Sequence, residues 1–178
     1  MNILISGGTG FIGEALVPAL CADGYRVTVL TRQRRDDSGP VSYVRDLDSI
    51  ATVFDAVINL AGASLAGRRW NDAYKKEIVA SRIDTTRRIG RYFARLGQAP
   101  RVWLNASAVG FYGPRGDEAL DETAASGEGF SAELCRDWEA AASEAAGDAT
   151  RLCLLRLGVV LDAGGGAYPQ MALPFRLG

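Results

Sequence analysis

Three glycines near the start of the chain, Gly7, Gly10 and Gly13, stand at GxxGxxG spacing in GGTGFIG (7–13). An apolar run, NILIS (2–6), precedes them. Phe11, Ile12, Ala15, Leu16, Ala19 and Leu20 follow at helical period. The glycines therefore stand where a buried strand turns into a helix. Gly7 permits the tight turn, Gly10 presents no side chain to an approaching pyrophosphate, and Gly13 lets the helix pack close to the strand. The helix start adds free N–H groups and the positive end of a dipole, with Thr9, Phe11 and Ile12 on that turn. This is the chemistry of a dinucleotide site; the alternative is a tight turn with no ligand.

The adenosine ribose of such a ligand meets the end of the next strand, here residues 25–31 (YRVTVLT). An acidic residue there would bind the 2′-hydroxyl of NAD. Instead Thr31 and Arg32 close the strand, with Arg34 and Arg35 just behind. A guanidinium pairs with a 2′-phosphate through parallel hydrogen bonds, so NADP(H) is expected over NAD(H). For Arg34 and Arg35 the plain alternative is a solvated loop charge. Downstream, the apolar DAVINL (55–60) runs through Leu60 into Ala61 and Gly62, small residues that let the chain lie against a cofactor; the alternative is an ordinary strand-to-loop exit. The strand RVWLNA (101–106) leads into Ser107 and Tyr112, and LCLLRL (152–157) leads to Val160. Cys135 falls in the first turns of a later helix. There a thiol is either activated by the helix terminus or buried and inert.

A long helix is expected over residues 72–96, after Asn71 as N-cap. Its inward stripe reads Tyr74, Ile78, Thr85, Ile89, Tyr92, Phe93 and Leu96. Arg82 falls on that stripe. It either snorkels at the edge, pairs with an acid such as Glu77, or faces the cofactor or active site. Another helix is expected over 131–146, one helical turn over 49–54, flexible chain at 164–166 and a further helix from Met171. Strands alternating with helices imply an α/β fold: a Rossmann-type doubly wound parallel sheet of order 3-2-1-4-5-6, with ligands at the carboxyl ends of the strands.

Composition narrows the classes. The 178 residues suffice for one domain with a good core, and 48% are hydrophobic. A net charge of −1 argues against a nucleic-acid surface. No apolar run is long enough to cross a membrane. Met1 leads straight into the first strand, which predicts no leader peptide. The three cysteines, Cys21, Cys135 and Cys153, show no CxxC spacing, which fits reduced thiols in a cytoplasmic protein and no zinc site. Histidine is absent, which excludes serine–histidine triads and histidine metal sites.

The runs GGTGFIG (7–13), LTR (30–32), NLAGASLAGRRW (59–70), SRIDTTR (81–87), SAVGFYG (107–113), CRDWEAAA (135–142), LRLGVVL (155–161) and PFRLG (174–178) together resemble one group. It is the atypical epimerase-like subgroup of the short-chain dehydrogenase/reductase superfamily. The resemblance implies an NADP-binding epimerase or oxidoreductase acting on a small carbonyl or nucleotide-sugar substrate. The other implied class is an NADP(H) sensor or scaffold without turnover. It also implies a homodimer through the two long helices, and a C-terminal substrate lobe beyond residue 178, so that this chain is expected to be either a fragment or a form that has lost the lobe. An acid such as Asp46 often lies near the adenine amine in this superfamily. Its usual members pair a tyrosine with a lysine to move a proton. Here Ser131 stands at the tyrosine position, Cys135 at the lysine position and Arg82 at that of the helix asparagine. That leaves Ser107, Tyr112 and Cys135 as catalytic candidates, the alternative for Tyr112 being packing under its loop, and Arg82, oriented by Glu77, as a candidate to hold a pyrophosphate or a substrate anion.

Overall fold

The structure, a computed structural model, describes residues 1–65, 67–162 and 164–177. Six parallel strands form one sheet: β1 (Asn2–Ser6), β2 (Arg26–Leu30), β3 (Val41–Val44), β4 (Ala56–Asn59), β5 (Val102–Ala108) and β6 (Arg151–Leu157). Their order is β3-β2-β1-β4-β5-β6, the Rossmann arrangement expected from the alternating pattern. Four helices accompany them: α1 (Phe11–Ala22), α2 (Asp72–Leu96), α3 (Phe130–Ala146) and α4 (Tyr168–Leu177). Among the described residues no helix is long and apolar enough to cross a membrane.

The sheet separates two apolar layers. On one face Val17, Leu16 and Leu20 of α1 pack on Ile3, Ile5, Val27, Val29 and Ile58. On the other, Ile89, Tyr92 and Phe93 of α2 cover Leu4, Val57 and Trp103. Alternate residues of each central strand thus serve opposite faces, which is why these strands read as unbroken apolar runs. The ends of α2 are set locally. The Asn71 side chain accepts from the Tyr74 N–H at 2.8 Å, and Gly97 leaves the helix at φ 63°. Such an N-cap stabilises by about 1 kcal/mol.

A ladder of polar side chains crosses the apolar sheet. Ser6 Oγ donates to Asn59 Oδ1 at 2.5 Å. Asn59 Nδ2 donates to Thr86 Oγ1 at 2.8 Å and to Asn105 Oδ1 at 2.7 Å. The indole N–H groups of Trp138 and Trp103 donate to Thr86 and Asn105.

Several elements differ from the sequence reading. Thr86, not Thr85, is the buried threonine of α2, because its hydroxyl joins the ladder; Thr85 lines the cleft beside the sheet. The turn expected over 49–54 lies at Leu47–Ser49 as a 3-10 turn capped by the Asp46 side chain. β5 runs two residues further than expected, so Ser107 lies within a strand. The glycines at 164–166 are partly ordered, with β7 (Leu161–Asp162) pairing antiparallel to β8 (Gly165–Gly166). Ala66 of the 59–70 run and Gly178 of the 174–178 run lie outside the described residues.

Candidate functional site

A cleft of about 360 Å³ opens where β1, β2 and β4 end. Its floor is the glycine turn, and each glycine answers a different demand. Gly7 lies at φ 75°, and a Cβ there would stand 2.6 Å from the Leu60 carbonyl oxygen. A Cβ on Gly13 would stand 2.5 Å from the Gly7 oxygen and the Gly8 Cα. Gly10 is extended, and its Cβ would meet only the Gly7 oxygen, at 3.2 Å; the rest of the space there is open. No side chain caps the start of α1, and the Glu14 N–H is the first to bond back, to Gly10. The N–H groups of Phe11, Ile12 and Gly13 are therefore left for a ligand, at the positive end of the helix.

Opposite the turn stand Thr31, Arg32 and Gln33 after β2, then Arg45, Ala61, Gly62 and Ala63. Thr9 and Thr31 approach hydroxyl to hydroxyl at 3.5 Å. Ser81, Thr85 and Arg88 complete the wall from α2. The sequence reading did not include Arg45 or Arg88, although Arg45 directly follows the third strand as Arg32 follows the second. Asp46 does not stand free for an adenine: it pairs with Arg88 at 2.6 Å. That pairing and the Asp48 N–H hold its carboxyl below the usual carboxylate range, the backbone bond contributing most. The ring of Phe11 lies under Gly165 and Gly166, Leu60 packs into the α1-side core, and Val160 is exposed; none of the three lines the cleft.

A second cluster forms on the same sheet edge, where Ser107 of β5 pairs in register with Arg156 of β6. Ser107 Oγ donates to Glu139 Oε1 at 2.6 Å. Arg156 holds the same carboxylate through both oxygens, at 2.9 Å each, and donates through Nη1 to the Tyr112 hydroxyl at 3.0 Å. Its guanidinium also stacks 3.6 Å from the centre of the Phe111 ring. The Glu139 bonds hold the Arg156 pKa above its ordinary value. A serine hydroxyl has one proton. Here that proton is directed at Glu139, so Ser107 faces any further ligand as an acceptor. The Tyr112 oxygen receives its bond from Arg156 and keeps its own proton unengaged among the described residues.

Cys135 is buried against Phe111 and Tyr112. Burial pushes its thiol up, and a backbone hydrogen bond at Ala108 opposes this by less. The thiol is thus protonated at neutral pH, which removes it as a ready nucleophile. Reaction with iodoacetamide at pH 7.5 should be slower at Cys135 than at a free cysteine by about tenfold, measured by peptide mass spectrometry; equal rates would restore the activated thiol. The folded state keeps this proton to higher pH than the unfolded chain. Stability should therefore decline as pH rises past the unfolded thiol value of about 8.5.

Arg82 is 9% exposed and sits behind Gly62, one layer back from the cleft wall. Its expected partner does not reach it: Glu77 is exposed and pairs with Arg68 at 3.4 Å. An outward-facing loop arginine reaches that carboxylate more readily than a buried one. Arg82 Nη1 instead donates to the Ala63 and Ile78 carbonyls, at 3.2 and 3.1 Å.

Residues 3–172 match the NAD dependent epimerase/dehydratase family. The chain belongs to that family. It is 39% identical over 181 residues to the human epimerase family protein SDR39U1, covering 100% of this chain and 61% of that protein. The bovine protein of the same name is 41% identical, with 60% of its length covered. The crystal structure of human SDR39U1 isoform 2 with NADPH superposes with a TM-score of 0.86 at 38% identity, covering 100% of this chain and 60% of that one. A nucleoside-diphosphate sugar epimerase from Corynebacterium glutamicum superposes at 0.83 with 34% identity, covering 100% and 38% of the two chains. The chain thus spans about 60% of the length of the SDR39U1 relatives it matches.

Proposed function

We propose that the chain binds NADP(H) in the cleft at the glycine turn and acts as an atypical epimerase-like oxidoreductase. The observation that carries this is the pairing of an uncapped α1 terminus with Arg32 and Arg45 across one cleft. The first suits a diphosphate and the second a 2′-phosphate. The donor set fits the cofactor: a turn without side chains, free backbone N–H groups, and guanidinium groups where a 2′-hydroxyl reader would carry an acid. The NADPH held by the similar human protein supports the same choice.

When bound, the nicotinamide supplies or accepts a hydride. The chain's own residues must orient the substrate and move its proton. Tyr112, with its proton unengaged and its oxygen held by Arg156, is the proton donor in this reading. Ser107, fixed by Glu139, accepts a hydrogen bond from a substrate hydroxyl. Cys135 remains a packed thiol. A second reading is binding without turnover, favoured by the commitment of the Ser107 proton to Glu139.

Calorimetric titration with NADPH and with NADH tests the cofactor. NADPH should bind more tightly than NADH, and Arg32→Asp should weaken NADPH by about ten- to a hundredfold, the worth of one charge-assisted hydrogen bond. Unchanged selectivity would remove Arg32 from the phosphate site. Oxidation of NADPH with a panel of carbonyl compounds separates turnover from binding alone, and Tyr112→Phe should abolish any turnover found.

A further inference from the structure

The described residues give Arg82 no carboxylate partner, although it is nine-tenths buried. A buried cation normally lies against an anion, because its lost hydration is otherwise uncompensated. Only Nη1 is engaged, by two neutral carbonyls. Nε and Nη2 have no acceptor among the described residues. These two atoms form one whole edge of the guanidinium, the fork that grips an oxyanion with two parallel bonds. Arg82 keeps 9% of its surface accessible.

The surroundings keep that edge in place. A Cβ on Gly62 would stand 2.7 Å from Cζ, 2.9 Å from Nη2 and 3.1 Å from Nε, so the bare Gly62 backbone lies against the flat face of the group. Trp138 lies 5.2 Å from the guanidinium carbon. Two carbonyls fix one end, and a glycine and an indole fix the orientation. Burial lowers the Arg82 pKa, as expected of a cation without a counter-charge. The diphosphate of a dinucleotide has its own donors at α1, and Arg82 does not line that cleft.

We propose that the free Nε/Nη2 edge of Arg82 binds an oxyanion, a carboxylate or phosphate group, carried by the substrate. The proposal draws on the NADP(H) reading only in placing this ligand beside a cofactor, and NADPH affinity is measured separately.

The experiment is calorimetric titration of the chain, with and without saturating NADPH, using malonate and inorganic phosphate as probes. At least one probe should bind saturably, and Arg82→Met should weaken it by about tenfold or more. Arg82→Lys, which keeps the charge and loses the fork, should fall between. NADPH affinity should stay within about twofold in Arg82→Met, and its melting temperature should match or exceed the parent's, as for removal of an uncompensated charge. Which probe binds distinguishes a carboxylate-bearing from a phosphate-bearing substrate. Failure of both probes, or equal binding by Arg82→Met, would overturn the proposal. So would a parallel loss of NADPH affinity, which would move Arg82 to the cofactor. Failure of NADPH alone, with probe binding intact, would overturn the cofactor reading and leave Arg82 as an oxyanion site.

Discussion

Gly10→Val should abolish NADPH binding in a chain that still folds, whereas Gly13→Val should damage the fold itself. The two residues lie three positions apart in one motif, yet their surroundings are opposite. At Gly10 the added Cβ meets a single oxygen at 3.2 Å, the backbone is extended, and the branched side chain projects into the cleft. A valine there takes the ligand's space and strains little else. Affinity should fall by about a hundredfold or more, while stability changes by about 0.5 kcal/mol or less. At Gly13 the Cβ meets backbone atoms of Gly7 and Gly8 at 2.5 Å. No rotamer change relieves that contact, so α1 must lift from β1. Overpacking of this kind costs about 3 kcal/mol, or roughly 6–12 °C in melting temperature for a chain of this size. Thermal melts and NADPH titrations of both variants check the contrast; a Gly10→Val protein that binds normally would overturn the glycine-turn site.

Glu139→Ala should be among the most destabilising single substitutions in the chain. Glu139 is 6% exposed and satisfies two partners at once, the Ser107 hydroxyl and both donors of the Arg156 fork. Removing it strands a largely buried guanidinium between β6 and α3. Breaking such a pair from one side costs about 3–5 kcal/mol, or roughly 6–20 °C in melting temperature. The double variant Glu139→Leu with Arg156→Leu should recover much of that loss, because two apolar groups need no partner. Additive losses in the double variant would show that the carboxylate acts on stability independently of Arg156.

The difference between these two cases explains what was legible in the sequence. The glycine turn is local: seven residues fix the turn, the helix start and the cleft floor, so spacing alone reveals it. The bounds of α2 are equally local, since Asn71 and Gly97 mark its ends within the chain. The strand order followed from alternation. Thr85 and Thr86 could not be separated, because a broad helical stripe admits either neighbour and a long-range bond to Asn59 decides. The Ser107–Glu139–Arg156 cluster joins residues 17 and 32 positions apart. A signal for it existed: Arg156 interrupts the apolar LCLLRL, and Glu139 follows Trp138 among alanines. Opposite charges breaking two core-facing elements ask for one another. Arg82 was visible as an odd residue on an apolar stripe. Its lack of a partner was not, because Glu77, one turn away, looked close enough until the fold turned it outward to Arg68.

The ladder through Asn59 has a consequence for how the sheet assembles. Its central strands carry Ile, Leu, Val and Ala in near-continuous runs, so sliding one strand past its neighbour by two residues keeps apolar groups facing apolar groups. Hydrophobic burial alone discriminates weakly against that error. The amides do not permit it: a two-residue slip of β4 takes Asn59 away from Ser6, Thr86 and Asn105 together. Each buried polar group left unpaired costs about 1–3 kcal/mol. The polar atoms therefore act as an alignment key, rejecting misregistered pairings that the apolar atoms would tolerate, and they do so where the strand ends must be level to shape one cleft.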